Sequence, residues 1–193
     1  MEGAARIDYD VALGQGSTRI LDVRGPEGAL PVVLLHGLGA TAKLNWGPCF
    51  GPLSQHFRVL APDHRGHGGG LRTSRFRLEE CADDAVAVAR ARGVKRFIAV
   101  GYSMGGPIAS LVWRRHPEAV AGLVLCATSG SFRPPPVARP ARGMLNVAAE
   151  LARITPTAAR TRILQRLLSR VEEPELRERL ASEFEGHDPR CVL

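Results

Sequence analysis

The sequence has no apolar run of about 18 residues, so a helix that spans a membrane is not expected. The first ten residues, MEGAARIDYD, carry early acids and no apolar stretch, which argues against a secretory signal. Paired cysteine spacing is also missing, which argues against a disulfide framework or a zinc site. The four cysteines are Cys49, Cys81, Cys126 and Cys191. We expect free thiols in a reducing compartment and predict a cytoplasmic protein.

Lysine is scarce as well, because only two of the 26 basic residues are lysines. Residues 131–170 hold eight arginines and one acid, Glu150, and this segment accounts for the whole net charge of +7. Its one aromatic residue is Phe132, so a stacking surface for single-stranded nucleic acid is not expected. The arginine excess, together with abundant alanine and glycine, indicates a GC-rich genome, and we predict no nucleic-acid partner.

The first two thirds of the chain alternate between strand and helix patterns. Residues 6–24 alternate weakly around a Gly-Gln-Gly turn and predict a hairpin of two edge strands. Buried strands are predicted at 31–39, 95–101 and 120–127, and the run 58–70 is interpreted as a buried strand followed by a glycine-rich loop. Helices are predicted at 42–57 (irregular), 78–92 (ending at Gly93) and 104–116. This order predicts an α/β fold, a mostly parallel sheet covered by helices.

The sequence pattern changes after Gly130, where the alternation of strands and helices ends. Pro134-Pro135-Pro136 marks a linker, and residues 137–185 carry only helical patterning. The apolar stripes are Ile163, Leu164, Leu167, Leu168 and Val171, then Leu176, Leu180 and Phe184. We predict a core over residues 1–130, followed by a helical segment over 131–190.

A serine stands on a tight corner in 98-IAVGYSMGGPIASLVW-113. Gly-x-Ser-x-Gly between a strand and a helix is the pattern of a nucleophile elbow, which makes Ser103 the candidate catalytic residue. Gly101 and Gly105 have to be small because they crowd each other, and Gly106 lets the helix approach the strand. The Met104 N–H at the helix start is a candidate oxyanion donor. A phosphate-binding turn is disfavoured, because neither G-x-G-x-x-G nor G-x-x-x-x-G-K-[ST] occurs.

Two further motifs accompany the elbow. His36-Gly37-Leu38-Gly39 follows the first buried strand, and Asp63-His64-Arg65-Gly66-His67-Gly68 follows the second. With the elbow, they make residues 6–130 resemble the α/β-hydrolase family. The resemblance implies that Gly37 and Leu38 belong to the oxyanion loop, that the Leu38 N–H partners Met104, and that residues 131–190 form a lid. It implies a small-molecule acyl substrate and no cofactor.

Other polar residues receive structural interpretations. Asp63, His64 and His67 could be metal ligands by spacing, but a loop-ordering role is preferred: Asp63 and Arg65 bond backbone groups, and the histidines lie near the surface. Asp83 and Asp84 are placed in the first turns of a helix, where acids favour the helix dipole. His36 is interpreted as a structural hydrogen-bonding residue, and His116 at a helix end is given no chemical role.

Serine needs a histidine base and an acid that orients it, which follow the serine in this family's chain order. The strand before the predicted lid ends in Cys126-Ala127-Thr128-Ser129, without a carboxylate. Beyond the elbow helix, His187-Asp188 is the remaining His–acid pair, and we interpret it as a turn. We therefore expect a C-terminally truncated member that lacks the last strands, the acid and the histidine.

The complete enzyme is expected to hydrolyse a carboxylic ester or related acyl bond. Two alternatives stay open. The elbow is also similar to those of enol-lactonases, C–C bond hydrolases and cofactor-free haloperoxidases, which share the fold but not the chemistry. Alternatively, the chain is an inactive fragment that only binds a ligand or partner.

Overall fold

Residues 6–129, 166, 169 and 173–185 are described by the structure, a computed structural model. The strands are β1 (Arg6–Leu13), β2 (Gly16–Val23), β3 (Pro31–Leu35), β4 (Arg58–Pro62), β5 (Phe97–Tyr102) and β6 (Val120–Cys126). The helices are α1 (Ala42–Trp46), α2 (Phe50–Ser54), α3 (Leu78–Ala91), α4 (Gly105–Arg115) and α5 (Pro174–Glu185), with 3-10 turns at Gly47–Cys49 and Pro117–Ala119. The strand, helix, strand order that the sequence predicts is confirmed.

The six strands form one sheet in the order β1-β2-β4-β3-β5-β6. β1 and β2 form the predicted antiparallel hairpin, but only β1 lies at the edge, because β2 also pairs antiparallel with β4. β4, β3, β5 and β6 run parallel to one another. Parallel neighbours bring the carboxyl ends of their strands to one side of the sheet, and the loops after β3, β4 and β5 therefore meet there.

Both faces of β3 and β4 are buried, which explains why these strands form continuous apolar runs in the sequence. On β3, Val32 and Leu34 pack in one cluster with Trp46 of α1 and Phe50 of α2. The alternate residues of β3 pack on the opposite face with α3 and α4. The core is therefore split by the sheet into two layers, with the loop after β3 at the boundary between them.

The predicted irregular helix over 42–57 is broken into α1, a 3-10 turn and α2. Gly93 follows α3 with φ of 73°, a left-handed conformation that suits glycine after a helix end. α5 confirms a helix in the last part of the chain, whereas the predicted apolar stripe from Ile163 to Val171 lies outside the described residues. The division into a core and a lid stays a prediction.

β6 has no strand on its outer side within the described part of the chain. Leu123, Val124 and Leu125 are 36%, 44% and 50% exposed, so both faces of this strand carry accessible apolar side chains. Among the described helices, none is long and apolar enough to cross a bilayer.

Candidate active site

Ser103 lies at the corner between β5 and α4 in a strained backbone conformation. Its φ is 51°, in the left-handed region that costs a non-glycine residue about 1–2 kcal/mol. Three hydrogen bonds hold this conformation, one of them from the Gly106 N–H to the Ser103 carbonyl at 3.0 Å. The Ser103 N–H donates to the Cys126 carbonyl at 3.0 Å, and the Thr128 hydroxyl donates to the Ser103 carbonyl at 2.7 Å. The segment after β6 therefore supports the corner, a role for Thr128 that sequence reasoning missed.

The glycines around Ser103 are required by backbone crowding. A Cβ on Gly101 would overlap the carbonyl group of Gly105, as the sequence predicts. A Cβ on Gly105 would overlap the Leu35 carbonyl group, so it is mainly the backbone of β3 that requires a glycine at this position. Gly106 faces the Thr128 side chain, which a Cβ would strike. Three neighbouring strands thus converge on the corner without space for a methyl group.

The loop after β3 lies against the serine. Gly37 and Ala40 are the ends of a turn in which the Ala40 N–H donates to the Gly37 carbonyl at 3.3 Å, and Gly39 has φ of 68°, as in a type II turn. A Cβ built on Gly37 would be 3.4 Å from the Ser103 Cβ. The predicted oxyanion loop and the predicted nucleophile are therefore adjacent in space.

Two backbone N–H groups at this point are available to an anion. Neither the Leu38 N–H nor the Met104 N–H donates a hydrogen bond to another residue of the described ranges. Leu38 is 56% exposed, and Met104 directly precedes α4, whose N-terminal dipole favours negative charge. This arrangement can stabilise an oxyanion that forms on an adduct of Ser103.

His36 lies beneath this loop and is fully buried. Its Nε2 accepts a hydrogen bond from the His64 N–H at 2.9 Å, so the ring proton is on Nδ1, which donates to the Gly37 carbonyl at 2.8 Å. Both ring nitrogens are thus engaged with backbone groups. The structural interpretation of His36 is confirmed, and His36 links the loops after β3 and β4.

The prediction that His64 and His67 lie near the surface is wrong. Their exposed fractions are 3% and 0%, because the loop after β4 turns inward below the oxyanion loop. The ring of His36 is close to both, with centroid distances of 4.1 Å to His64 and 5.4 Å to His67. Burial, together with the neighbouring His67, lowers the pKa of His64 to about 3. His64 is therefore neutral at physiological pH.

Asp63 fulfils its predicted loop-ordering role. Its carboxylate accepts hydrogen bonds from the Ala42 N–H at 2.8 Å and the Gly69 N–H at 2.9 Å. The corresponding prediction for Arg65 is wrong, because its guanidinium binds two side chains of α3, Asp84 at 2.8 Å and Glu80 at 2.5 Å. No group of three metal-ligating side chains suited to a metal ion occurs among the described residues.

The predicted place of Asp83 and Asp84 in the first turns of a helix is confirmed, since α3 begins at Leu78 and both residues lie in its second turn. Both acids also have specific side-chain partners, which the sequence did not indicate. Asp83 binds Arg115 at 2.7 Å and His116 at 2.8 Å, and the pKa of Asp83 is lowered, first by the hydrogen bond from Arg115. This His–Asp pair is at the far end of α4, about 16 Å along the 11-residue helix from the serine corner.

No histidine or carboxylate of the described ranges forms a hydrogen bond with the Ser103 hydroxyl. The segment 126–129 contains no acid. His187 and Asp188 lie outside the described residues, so their predicted turn stays a prediction.

An apolar cavity of about 450 Å³ lies on the sheet face that packs against α1 and α2, and it is separate from this corner. Its walls include Val32, Leu34, Trp46, Phe57, Ile98 and Val124, and neither Ser103 nor the oxyanion loop lines it.

One further residue of the site was missed by sequence reasoning. Asn45 of α1 accepts a hydrogen bond from the Gly37 N–H at 2.9 Å. The available signal was a short amide side chain in the segment directly after the oxyanion loop, but a helix pattern alone does not tell which loop such a side chain meets.

Comparison with known proteins agrees with this geometry. The family model described as "alpha/beta hydrolase fold" matches residues 31–188. The pimeloyl-[acyl-carrier protein] methyl ester esterase of Sodalis glossinidius is 38% identical over 101 residues, which are 52% of this chain and 37% of that protein. The 2-hydroxymuconate semialdehyde hydrolase of Pseudomonas sp. CF600 is 36% identical over 104 residues, with the same shares.

The solved structure of the enol-lactonase from Burkholderia xenovorans LB400 superposes with a TM-score of 0.71 at 24% identity, a likeness of fold. That match covers 95% of this chain and 70% of the enol-lactonase chain, whereas the matches to the two enzymes above span 37% of their lengths. This chain is thus shorter than its relatives. With the model match over most of its residues, the chain belongs to the α/β-hydrolase fold family.

Proposed function

We propose that this protein is a serine hydrolase of carboxylic esters or related acyl bonds, with Ser103 as its nucleophile. Ser103 attacks the acyl carbonyl, the carbonyl oxygen becomes an oxyanion, and the N–H groups of Leu38 and Met104 bind that oxyanion. The observation that carries the proposal is the contact of the two loops: Gly37, next to the Leu38 donor, is directly against the Ser103 Cβ.

The proposal includes a general base from outside the described residues. A serine hydroxyl is a weak nucleophile at neutral pH and requires a base to accept its proton. His36, His64 and His67 are buried together below the oxyanion loop. His116 is paired with Asp83 at the far end of α4. None of them contributes to the base in our proposal.

The substrate class rests on two supports. The site presents one hydroxyl, which can attack a carbonyl carbon, and two backbone N–H donors, which can stabilise the resulting oxyanion. The relatives described above are a methyl ester esterase and a semialdehyde hydrolase, and the structural neighbour is an enol-lactonase. We therefore expect a small acyl compound, such as an ester or a lactone.

A fluorophosphonate probe tests the nucleophile. The probe phosphonylates an activated serine, and peptide mass spectrometry locates the adduct. We expect the adduct on Ser103, its loss in Ser103→Ala, and labelling within about twofold of wild type in Ser110→Ala. Ser110 is a matched control on α4, since its hydroxyl only donates to the Gly106 carbonyl. Equal labelling of Ser103→Ala and wild type would refute the proposal.

The same probe identifies the source of the base. Imidazole added to the buffer can accept the serine proton when no histidine does so. Labelling that requires imidazole places the base outside this chain, whereas labelling that is independent of imidazole and lost in His187→Ala assigns the base to His187. Labelling of native protein that is no faster than that of unfolded protein, with or without imidazole, would favour the inactive, ligand-binding alternative.

A further inference from the structure

Gly37 is held at both of its backbone polar groups. Its N–H donates to the Asn45 Oδ1 at 2.9 Å, and its carbonyl accepts from the His36 Nδ1–H at 2.8 Å and from the Ala40 N–H at 3.3 Å. The residue is buried between the end of β3 and the serine corner. Every conventional hydrogen-bonding group of this glycine therefore has a defined partner.

This fixation determines the direction of the oxyanion donor. The Gly37 carbonyl and the Leu38 N–H belong to one planar, trans peptide unit and point in opposite directions. A restraint on the carbonyl is therefore a restraint on the N–H. The bond from Asn45 fixes the preceding peptide unit, so the two partners together fix the rotation of the backbone about Gly37.

Such restraints are needed because residue 37 cannot restrain itself. A Cβ at this position would lie 3.3 Å from the Tyr102 ring, a tight contact, and 3.4 Å from the Ser103 Cβ, so a larger residue would require the Tyr102 ring to shift. Glycine has no intrinsic preference for one backbone conformation. Glycine thus lets the loop approach the nucleophile closely, but it leaves the backbone flexible at residue 37. Hydrogen-bond partners outside residue 37 therefore have to fix this part of the backbone.

Asn45 is itself firmly placed. Its own N–H donates to the Thr41 carbonyl at 3.0 Å, and Thr41 caps α1 through a bond from the Leu44 N–H at 3.1 Å. The first turn of α1 is tied to the loop after β4, because the Ala42 N–H donates to Asp63. The amide of Asn45 therefore projects from a short helix that is fixed at its start.

We propose that Asn45 is a positioning residue of the oxyanion hole, which acts with His36 to direct the Leu38 N–H at the oxygen that becomes negative on Ser103. This role rests on the proposed function of Ser103. Loss of the Asn45 bond leaves the Gly37 N–H without its acceptor and lets the donor rotate away from the oxyanion. Because the oxyanion exists only on the adduct and in its transition state, the loss affects the chemical step and not probe binding.

The test compares Asn45→Leu with Thr41→Val under the conditions in which wild type labels Ser103. Leucine has a similar size but accepts no hydrogen bond. Thr41→Val removes the cap of the same helix and leaves the acceptor for Gly37 in place. Two kinetic quantities are measured with the fluorophosphonate: the rate constant at saturation, kinact, and the half-saturating concentration, KI. Amide hydrogen exchange of Gly37 is measured in parallel.

For Asn45→Leu we expect kinact to fall about tenfold with KI within about twofold, less than the loss of an entire oxyanion donor. Gly37 amide exchange should become faster. For Thr41→Val we expect kinact and KI near the wild-type values although the unfolding midpoint falls. If Asn45→Leu keeps the wild-type kinact, or Thr41→Val loses as much, the positioning role of Asn45 is overturned while Ser103 stands. If wild type does not label at Ser103, the proposed function and this role fail together.

Discussion

The two ends of α4 contain complementary parts of the same chemistry. At its start, Ser103 is in a strained corner beside two backbone donors, but no described histidine or acid touches its hydroxyl. At its end, Asp83 pairs with His116 and Arg115, but no serine, threonine or cysteine of the described residues is hydrogen-bonded to this pair. The comparison shows that residue types do not make a site. What distinguishes the start of α4 is backbone geometry that three strands maintain, whereas the pair at the other end is held by side chains on a partly exposed surface.

The largest effect is expected when the crowded backbone at the start of α4 is forced apart. In Gly105→Ala the new Cβ overlaps the backbone of Leu35, which cannot move without displacing β3. We expect a loss of about 3 kcal/mol in the free energy of unfolding, the upper range for an overpacked site, together with loss of Ser103 labelling. Urea unfolding measures the loss.

Gly51→Ala is the control, because Gly51 is in α2 and, apart from its chain neighbours, nothing lies within 4 Å of its added Cβ. There we expect a change of less than about 0.5 kcal/mol, because the helix preference of alanine is opposed by crowding between its Cβ and the ring of Pro52. Equal effects of the two substitutions would show that crowding does not define the corner.

Acid should lower the free energy of unfolding, because His64 is buried below the serine corner. His64 has a pKa of about 3 in the folded protein, because of its burial and of His67 beside it, against an ordinary value of 6.5. Between pH 6.5 and 3, His64 therefore binds a proton in the unfolded chain but not in the folded protein. The stability is fully present above pH 6.5 and declines as the pH falls towards 3, by roughly 2–3 kcal/mol between pH 6.5 and 4.5.

The variant His64→Leu removes this titration and should flatten the acid limb of the stability profile, as urea titrations at several pH values would reveal. His56→Gln serves as the control, because His56 is exposed and its replacement should leave the limb unchanged. An unchanged slope in His64→Leu would mean that another group causes the acid sensitivity.

A smaller effect is expected at the support behind the serine. Thr128→Val keeps the shape of the side chain but removes the hydroxyl that donates to the Ser103 carbonyl. The Gly106 N–H still donates to that carbonyl at 3.0 Å, so we expect a loss of only about 1 kcal/mol in the free energy of unfolding. Labelling of Ser103 should slow, since the strained φ of Ser103 is less well held.

Thr73→Val, in an exposed loop, controls for the loss of a hydroxyl. A Thr128 variant that labels at the wild-type rate would assign the support to the Cys126 and Gly106 bonds.

Sequence reasoning predicted the elements of the core and the place of Ser103, because these depend on local patterns. The buried strands have two apolar faces, and the glycines around Ser103 follow from the tightness of one strand-to-helix turn. Hydrophobic periodicity and turn chemistry record both features directly.

The failures have a different origin. His64 and His67 are polar residues in a glycine-rich loop, a composition typical of exposed loops, and only the tertiary path of the chain places their rings beside His36. Arg65 and its partners on α3 are 15 and 19 residues apart in sequence, Asp83 and its partners 32 and 33, and Gly37 and Asn45 eight, so no local pattern indicates these contacts. The source of the base cannot be read from local patterns for the same reason.

The smallest effect is expected at the far end of α4. Asp83→Asn removes the acid that binds Arg115 and His116, but these side chains are between one fifth and one half exposed, where ion pairs contribute little because water and salt screen them. We expect Ser103 labelling equal to wild type and a small drop in the unfolding midpoint that disappears at high salt. Melting curves at low and high ionic strength, together with probe kinetics, measure both. A marked loss of labelling would contradict the separation of the two ends, because it would mean that a pair about 16 Å along the helix acts on the serine corner.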